Sequence, residues 1–314
     1  MNAQLTFTLL CFLAPLLARA DILDVYGNLT ERTVLCSSAL PFPPEALISD
    51  LPAEKANAIA RIESELAKRG IAVVQDGPHF VRLFPENQRG FLKDMPLRGA
   101  ELAAATSEKT VPAGAFKFVG MNPGGVLRIY ASISRRTILR PATLPSSLMS
   151  LKITCPLTRE EAAYAIATVL ALNGIAVVED GEQFAQAVPL GQRGLVTARA
   201  PKTEPAAKRL DPKEVPSMDT DFNQDPTAPK PNPSDHPAKR LLEFYASLAK
   251  KATVPSIGFD EIPIWFHIET PLSKPELLYA IGITLALNHL TIIPVDDQGI
   301  RLGQVGDLGK RTGK

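Results

Sequence analysis

Four histidines, His79, His236, His267 and His289, are the first residues to examine for chemistry. A structural or catalytic metal asks for two or more imidazoles or thiolates at ligand spacing with a carboxylate close by. The four are scattered, and no two of them lie at ligand spacing. Two adjacent carboxylate pairs, Asp296-Asp297 and Glu160-Glu161, have the residue types of acid/base work. The first falls where a hairpin turn is expected and the second in the first turn of a helix, so each has a local structural reason to be acidic. Gly124-Gly125 precedes a helical pattern, as a phosphate cradle would, but reads as a turn, because no P-loop and no G-x-G-x-x-G accompanies it. No Ser lies in a G-x-S-x-G setting. Asn28-Leu29-Thr30 has the form of a glycosylation acceptor and is a chance match of three residues. Trp265 lies in the alternating run Ile262 to Ile268 and is expected in a core rather than as a binding anchor. The expectation is a non-enzyme with no catalytic, cofactor-binding or metal-binding residue and no cofactor.

The charge balance narrows the partners further. The chain has 34 Lys and Arg against 33 Asp and Glu, and no basic stripe of the kind that phosphate contacts need. Arg135-Arg136 and Lys250-Lys251 are isolated pairs at expected helix ends, where cations complement the dipole. A nucleic-acid partner is not expected. Met1 to Ala20 carries an apolar run, Leu5 to Leu17, closed by Ala18-Arg19-Ala20, which reads as a secretory signal cleaved before Asp21. An uncleaved anchor is the alternative, for which the run is short. No later segment has the length and apolarity of a membrane span, so an exported chain in the periplasm or at the outer membrane is expected. Cys11 lies in the leader, leaving Cys36 and Cys155. Two readings stay open for them: a disulfide in an oxidising compartment, or two separate buried thiols.

What organises the chain is repetition. Tyr26 to Val74 aligns without a gap on Tyr130 to Val178, which aligns without a gap on Tyr245 to Ile293. The first pair shares Arg32-Thr33/Arg136-Thr137, Leu40-Pro41/Leu144-Pro145 and the runs Gly70 to Val74 and Gly174 to Val178. The second pair shares Tyr130-Ala131-Ser132/Tyr245-Ala246-Ser247, Tyr164-Ala165-Ile166/Tyr279-Ala280-Ile281 and the runs Leu170 to Asn173 and Leu285 to Asn288. A period of this size means one supersecondary unit used several times. The residues that recur are mostly apolar framework.

The second copy shows the unit best. Ala115 to Val119 alternates as a strand, and Val126, Ile129, Tyr130 and Ile133 make one helical face up to Arg135. Thr137 to Leu139 and Ser150 to Thr154 are short β-prone runs. Thr158 to Glu161 forms a capping box ahead of the stripe Ala162, Ala165, Ile166, Val169 and Leu170, and Asn173-Gly174 provides a left-handed exit. Ile175 to Val178, a turn at Glu179-Asp180-Gly181, and Phe184 to Val188 complete a hairpin. The third copy repeats this with a capping box at Ser273 to Glu276, a helix stripe from Leu277 to Leu285, and strands at Ile264 to Ile268, Leu290 to Ile293 and Gly299 to Leu302. Val215-Pro216 echoes Val111-Pro112 ahead of it.

The spacing predicts an α+β protein of three tandem small domains, each β-α-β-β-α-β-β with two helices packed on short sheets. The boundaries are 1–20 for the leader, 21–90 for a truncated first copy and 91–110 for a connection. The second copy follows at 111–199, a Pro-rich linker at 200–237, the third copy at 238–306 and a tail at 307–314. The first copy is truncated because its opening strand would fall inside the leader. A sheet edge left unpaired there would invite strand addition by a partner or a second copy, unless the second copy or the 91–110 connection covers it.

The run Val126 to Tyr130, then Thr137-Ile138-Leu139, Pro156-Leu157-Thr158, Glu161 to Gly174 and Ile175 to Gly181 resembles the N-terminal periplasmic domain of type II secretion system secretins. The signalling domain of TonB-dependent receptors has the same fold. The resemblance is strongest over 115–194 and weakest over 21–90, and its motif is a packing pattern. Secretins continue into ring-building and channel domains that this sequence does not contain. The resemblance therefore implies the fold and its habit of docking through strand edges and helix faces, not a channel. It leads to an expected non-enzymatic scaffold or accessory in an envelope secretion or assembly system, with other secretion-system or envelope proteins as partners. The alternatives are a receptor-associated signalling protein or a cell-envelope hydrolase. Limited proteolysis is expected to cut first within 201–237, where Pro, Asp, Lys and Asn give little area to bury. First cuts confined to 115–194, mapped by mass spectrometry, would contradict these boundaries.

Overall fold

The computed structural model describes residues 22–41, 51–93, 95–105, 108, 110–196, 199–202, 207–217, 236–255, 258–259 and 262–305. The expected leader, the first copy's opening strand, most of the Phe42 to Pro52 stretch, residues 218–235 and the tail lie outside them. In chain order the elements begin with α1 (22–30), β1 (Thr33–Cys36), α2 (Lys55–Lys68), β2 (Ile71–Asp76), β3 (Phe80–Pro85) and α3 (Gly99–Ala104). There follow β4 (Lys117–Met121), α4 (Pro123–Ser134), β5 (Thr137–Leu139), β6 (Met149–Lys152), α5 (Arg159–Leu172), β7 (Ile175–Asp180) and β8 (Phe184–Pro189). The last group is β9 (Arg209–Leu210), α6 (Pro237–Ala249), β10 (Ala252–Thr253), β11 (Leu272–Ser273), α7 (Lys274–Leu287), β12 (Leu290–Pro294) and β13 (Gly299–Gln304). The fold is α+β, as expected. No helix among the described residues is long and apolar enough to cross a membrane.

Three small sheets have one design: a parallel edge strand, a central strand, and that strand's antiparallel hairpin partner, in the orders β1-β3-β2, β5-β8-β7 and β10-β13-β12. The register repeats too. Val74 faces Arg82, Val178 faces Gln186 and Ile293 faces Arg301. The backbone is forced left-handed at the same two places in each sequence copy. One lies just past a first helix, at Glu31, Arg135 and Lys250 with φ of 57°, 57° and 56°. The other lies just past a second helix, at Gly70, Gly174 and His289 with φ of 68°, 86° and 61°. Such residues release the chain from a helix into a strand.

The chain forms two compact units, and they do not follow the sequence copies. The first comprises the residues up to Val126 together with Ser147–Asn173; the second comprises Leu127–Ser146 and everything from Gly174. In the first unit, Ile22 and Tyr26 of α1 and Ile62 and Leu66 of α2 pack on Ile71, Val81 and Leu83, one face of the sheet. The opposite face presents Phe80, Arg82 and Phe84, all at most 1% exposed. α5, from the second sequence copy, packs against β1 of this sheet. In the second unit α7, from the third copy, packs in the same way against β5. Helices serving two faces must be apolar around most of their circumference. α5 accordingly buries Ala162, Ala165, Ile166, Thr168, Val169 and Leu170.

Several expectations are corrected. The first strand of the second copy lies at Lys117–Met121, two residues later than the Phe116/Phe118 alternation suggests, with an irregularity between Phe118 and Met121 where Gly120 adopts φ 64°. Ile264 to Ile268 buries Ile264, Trp265, Phe266 and Ile268, but among the described residues it is not a continuous strand: Phe266 alone takes part in a β-bridge. Alternation reports burial and does not specify the extent of a hydrogen-bonded ladder. The 200–237 linker is packed over 207–217. Leu210 pairs with Leu272, Asp211 caps a 3-10 turn at Pro212–Glu214, and Val215 is 6% exposed. Leu210, not Val215, is thus the counterpart of Val111, which bridges Leu157. Gly124 and Gly125 are not a turn but lie in the first turn of α4. Of the two readings left open for Cys36 and Cys155, the structure has the separate buried thiols, with no disulfide between them.

Ile166 and Leu170 are both fully buried in the first unit. Replacing either with Asp puts a carboxylate in a core with no donor prepared for it, at a cost of several kcal/mol against a margin of about 5–15. Loss of the cooperative thermal transition of the first unit, followed by circular dichroism, is the expected result.

Candidate functional site

The hairpin β2–β3 turns at Asp76-Gly77-Pro78-His79, and Gly77 takes φ 72° there. The Asp76 carboxylate points onto the sheet face of Phe80, Arg82 and Phe84 and is out of contact with water. It is met by donors from three stretches of chain. Arg82 Nε donates to Oδ2 at 2.7 Å, the Tyr164 hydroxyl of α5 donates to the same oxygen at 2.6 Å, and the Gly99 amide donates to Oδ1 at 2.8 Å. The remaining guanidinium donors go to the carbonyls of Met95 and Pro96, each at 2.9 Å, and to the Tyr164 oxygen. Tyr164 also accepts from the Arg98 amide at 2.9 Å, and its ring meets Phe80 edge-on with centroids 5.6 Å apart. A Cβ on Gly99 would come within 2.0 Å of the Asp76 carbonyl oxygen, so the close approach of this segment requires glycine.

α5 is tied to the first sheet at both of its ends as well. At its start Glu161 accepts the Thr158 amide at 2.8 Å as a capping box, while its other oxygen meets His79 Nδ1 at 2.6 Å. At its end Asn173 Oδ1 accepts the Ser38 amide at 2.8 Å. A helix of the second sequence copy is thereby latched to the sheet of the first by a carboxylate, a phenol and an amide.

The second unit repeats the arrangement with different residues. Asp180 is fully buried, and it accepts from Tyr279 OH at 2.5 Å, Gln186 Nε2 at 2.7 Å and the Ala200 amide at 2.9 Å. Phe184 lies against the Tyr279 ring at 5.5 Å, and Asn288 Oδ1 accepts the Ala142 amide at 2.8 Å. Gln186 replaces Arg82, so among the described residues this carboxylate is held by neutral donors. The ends of the chain lack the parts. At the position of Tyr164, α2 has Ala60, and at the position of Asp180 the third hairpin has Val295, 43% exposed.

The residues considered for chemistry have structural partners. His267 lies 3.2 Å from the Ser217 hydroxyl and 3.5 Å from Glu269, His236 precedes α6 and His289 provides the left-handed exit of α7. Asp296 accepts the Gln298 amide at 2.8 Å, and the Asp297 carbonyl accepts from Lys251. The Gly125 amide is taken by Asn122 Oδ1 at 2.8 Å. Trp265 is 4% exposed, with the Arg140 guanidinium 4.4 Å above its ring. No group of three metal-ligating side chains occurs among the described residues. At the edge of β1, the Thr154 amide donates to the Thr33 hydroxyl at 3.2 Å, so the second copy covers part of that edge. Sequence reasoning marks Tyr164 and Tyr279 only as identities between copies and Asp180 only as a turn residue, passes over Asp76, and reads none of the four as part of a site. Their signal was a tyrosine shared by the second and third copies only, and an Asp-Gly turn shared by the first and second only. No family model, no curated protein and no solved structure matches the chain.

Burial first, and then the Asp180 carboxylate, hold the Tyr279 phenol protonated well above its usual range, and burial with Asp76 raises Tyr164. An unfolded tyrosine ionises near pH ~10. Above that pH the unfolded chain binds fewer protons than the folded one, so this stability is complete below pH ~10 and is lost as pH rises toward the folded values. Tyr164→Phe and Tyr279→Phe are each expected to lose about 1–3 kcal/mol near neutrality and to flatten the alkaline fall in stability. Urea midpoints at about pH 7 and about pH 11 measure both effects; midpoints equal to the parent's at both would contradict the latch.

Proposed function

We propose that the chain is three tandem copies of one α+β domain, the first truncated, joined by latches that pass from each copy to the one before it. The reading is supported by the matching sheet orders, registers and left-handed positions, and by the recurrence of the Asp-Tyr pair in both units. On this reading the protein is an exported, non-enzymatic scaffold or accessory of an envelope secretion or assembly system of the type II kind. It resembles the N-terminal domains of secretins in the motif from Pro156 to Pro189.

The observation that carries the proposal is where the buried polar chemistry goes. Asp76, Arg82, Tyr164, Asp180, Gln186 and Tyr279 converge on joints between sequence copies rather than on an open cleft. Buried polar groups of this kind hold parts in one geometry when each has its partner. The test is expression of the tagged full chain in a secretion-competent bacterium, with cell fractionation and photo-crosslinking. The expected outcome is a periplasmic chain beginning at Asp21 that crosslinks to secretion or assembly components. An unprocessed cytoplasmic chain would overturn it, and crosslinks confined to a receptor and its regulator would replace it with the signalling reading.

A further inference from the structure

The same offsets that relate the two latches relate a second pair of places, and there the two units differ. In the second unit the Arg140 guanidinium lies over the Trp265 ring beside β5. Their counterparts in the first unit are Ser150 and Cys36, a hydroxymethyl and a thiol in place of an indole and a guanidinium. The correspondence holds along the strand, because Met149, Leu151 and Ile153 are buried as Ile264, Phe266 and Ile268 are. Where the indole and guanidinium would lie, the first unit has a small open cleft between β1 and the β4–β6 pair. Val34, Cys36, Phe118 and Leu151 supply its apolar lining. At its rim the ammonium groups of Lys152 and Lys117 share a single carboxylate, Asp24, at 2.9 and 3.8 Å. Among the described residues one positive charge is therefore left over, on side chains that are 32% and 48% exposed. Val119, which also lines the cleft, is 59% exposed.

We infer that this cleft receives an aromatic side chain flanked by acidic residues, presented by a partner polypeptide. The aromatic class follows from the ring that fills the corresponding place in the second unit. The acid follows from the unmatched lysine charge, which favours an anion at the rim and disfavours a cation. A polypeptide source follows from the setting, beside the edge of β1 and the exposed β4, where an added segment meets main chain as well as the cleft. The inference deepens the scaffold reading and rests on it for the identity of the partner as a protein.

The test uses the full mature chain, labelled with ¹⁵N, titrated with acetyl-Glu-Trp-Glu-amide. Acetyl-Lys-Trp-Lys-amide, acetyl-Glu-Ala-Glu-amide and indole-3-acetate serve as comparisons. The acidic Trp peptide is expected to shift the amides of Val34, Cys36, Leu151 and Lys152 and to bind at least about tenfold tighter than any of the other three. The double variant Cys36→Arg with Ser150→Trp fills the cleft as the second unit does, and is expected to abolish the shifts. Lys152→Glu, which leaves the lining intact, is expected to reverse the preference between the acidic and basic peptides, so the test survives a misfolded double variant. No shifts with the acidic Trp peptide, shifts elsewhere, or equal binding by the Lys152→Glu variant would overturn the inference, as would tighter binding of indole-3-acetate than of the peptide. If the filled variant still crosslinks to envelope components, the scaffold reading stands and the cleft is not its docking site.

Discussion

A carboxylate withdrawn from water is stable in a protein only where donors are already in place, and in this chain those donors come from parts far apart in sequence. Asp76 needs Arg82 from its own hairpin, Gly99 from the segment after it and Tyr164 from a helix of the next sequence copy. Removing any one leaves the others with an unmet charge or hydroxyl, which costs more than the bond itself contributes. The first unit is therefore closed by a polar cluster at the edge of an apolar core, and the core alone would not fix which helix lies on the sheet. The second unit reaches the same end with a neutral set, Gln186 and Tyr279, around Asp180. Position 82 and position 186 are one place in the sheet with two chemistries, so the geometry is set by the aspartate and the tyrosine.

Much of the local structure was legible because it is driven by local rules. The capping box at Thr158 and Glu161, the stripe through Ile166 and Leu170, the exit at Asn173-Gly174 and the hairpin from Ile175 to Val188 all stand where periodicity and turn chemistry place them. Misjudged elements share another property: their state depends on a distant partner. Ile264 to Ile268 alternates like a strand and buries its apolar side chains, yet pairing is decided by what lies alongside. Leu210 looked like linker until Leu272 supplied a neighbour for it.

The latch itself was half visible. Tyr164 and Tyr279 stood out as identities between copies, but a single tyrosine beside an apolar helix stripe is ordinary core composition. Its meaning depends on an aspartate far away in sequence, in the preceding copy, where Asp-Gly has a sufficient explanation as a turn. The informative contrast was in the copies that lack each half: Ala60 in the first and Val295 in the third. Trp265 shows the same limit, since its burial was foreseen but Arg140, the cation on its face, is too distant in sequence to be paired with it.

The mismatch between sequence copies and compact units bears on the time course of folding. The strands β1, β2 and β3 are all synthesised by Pro85, yet the face of Phe80, Arg82 and Phe84 lacks the part of its cover that α5 supplies until that helix has been made as far as Asn173. Through that interval the first sheet has one apolar face and a buried-type ion pair open to solvent, the kind of surface that associates non-productively. A ribosome pause or a cut at the apparent seam between 90 and 111 would prolong the exposed state rather than release a finished domain. The joint that gives the mature chain its order is thus the last thing its first part acquires.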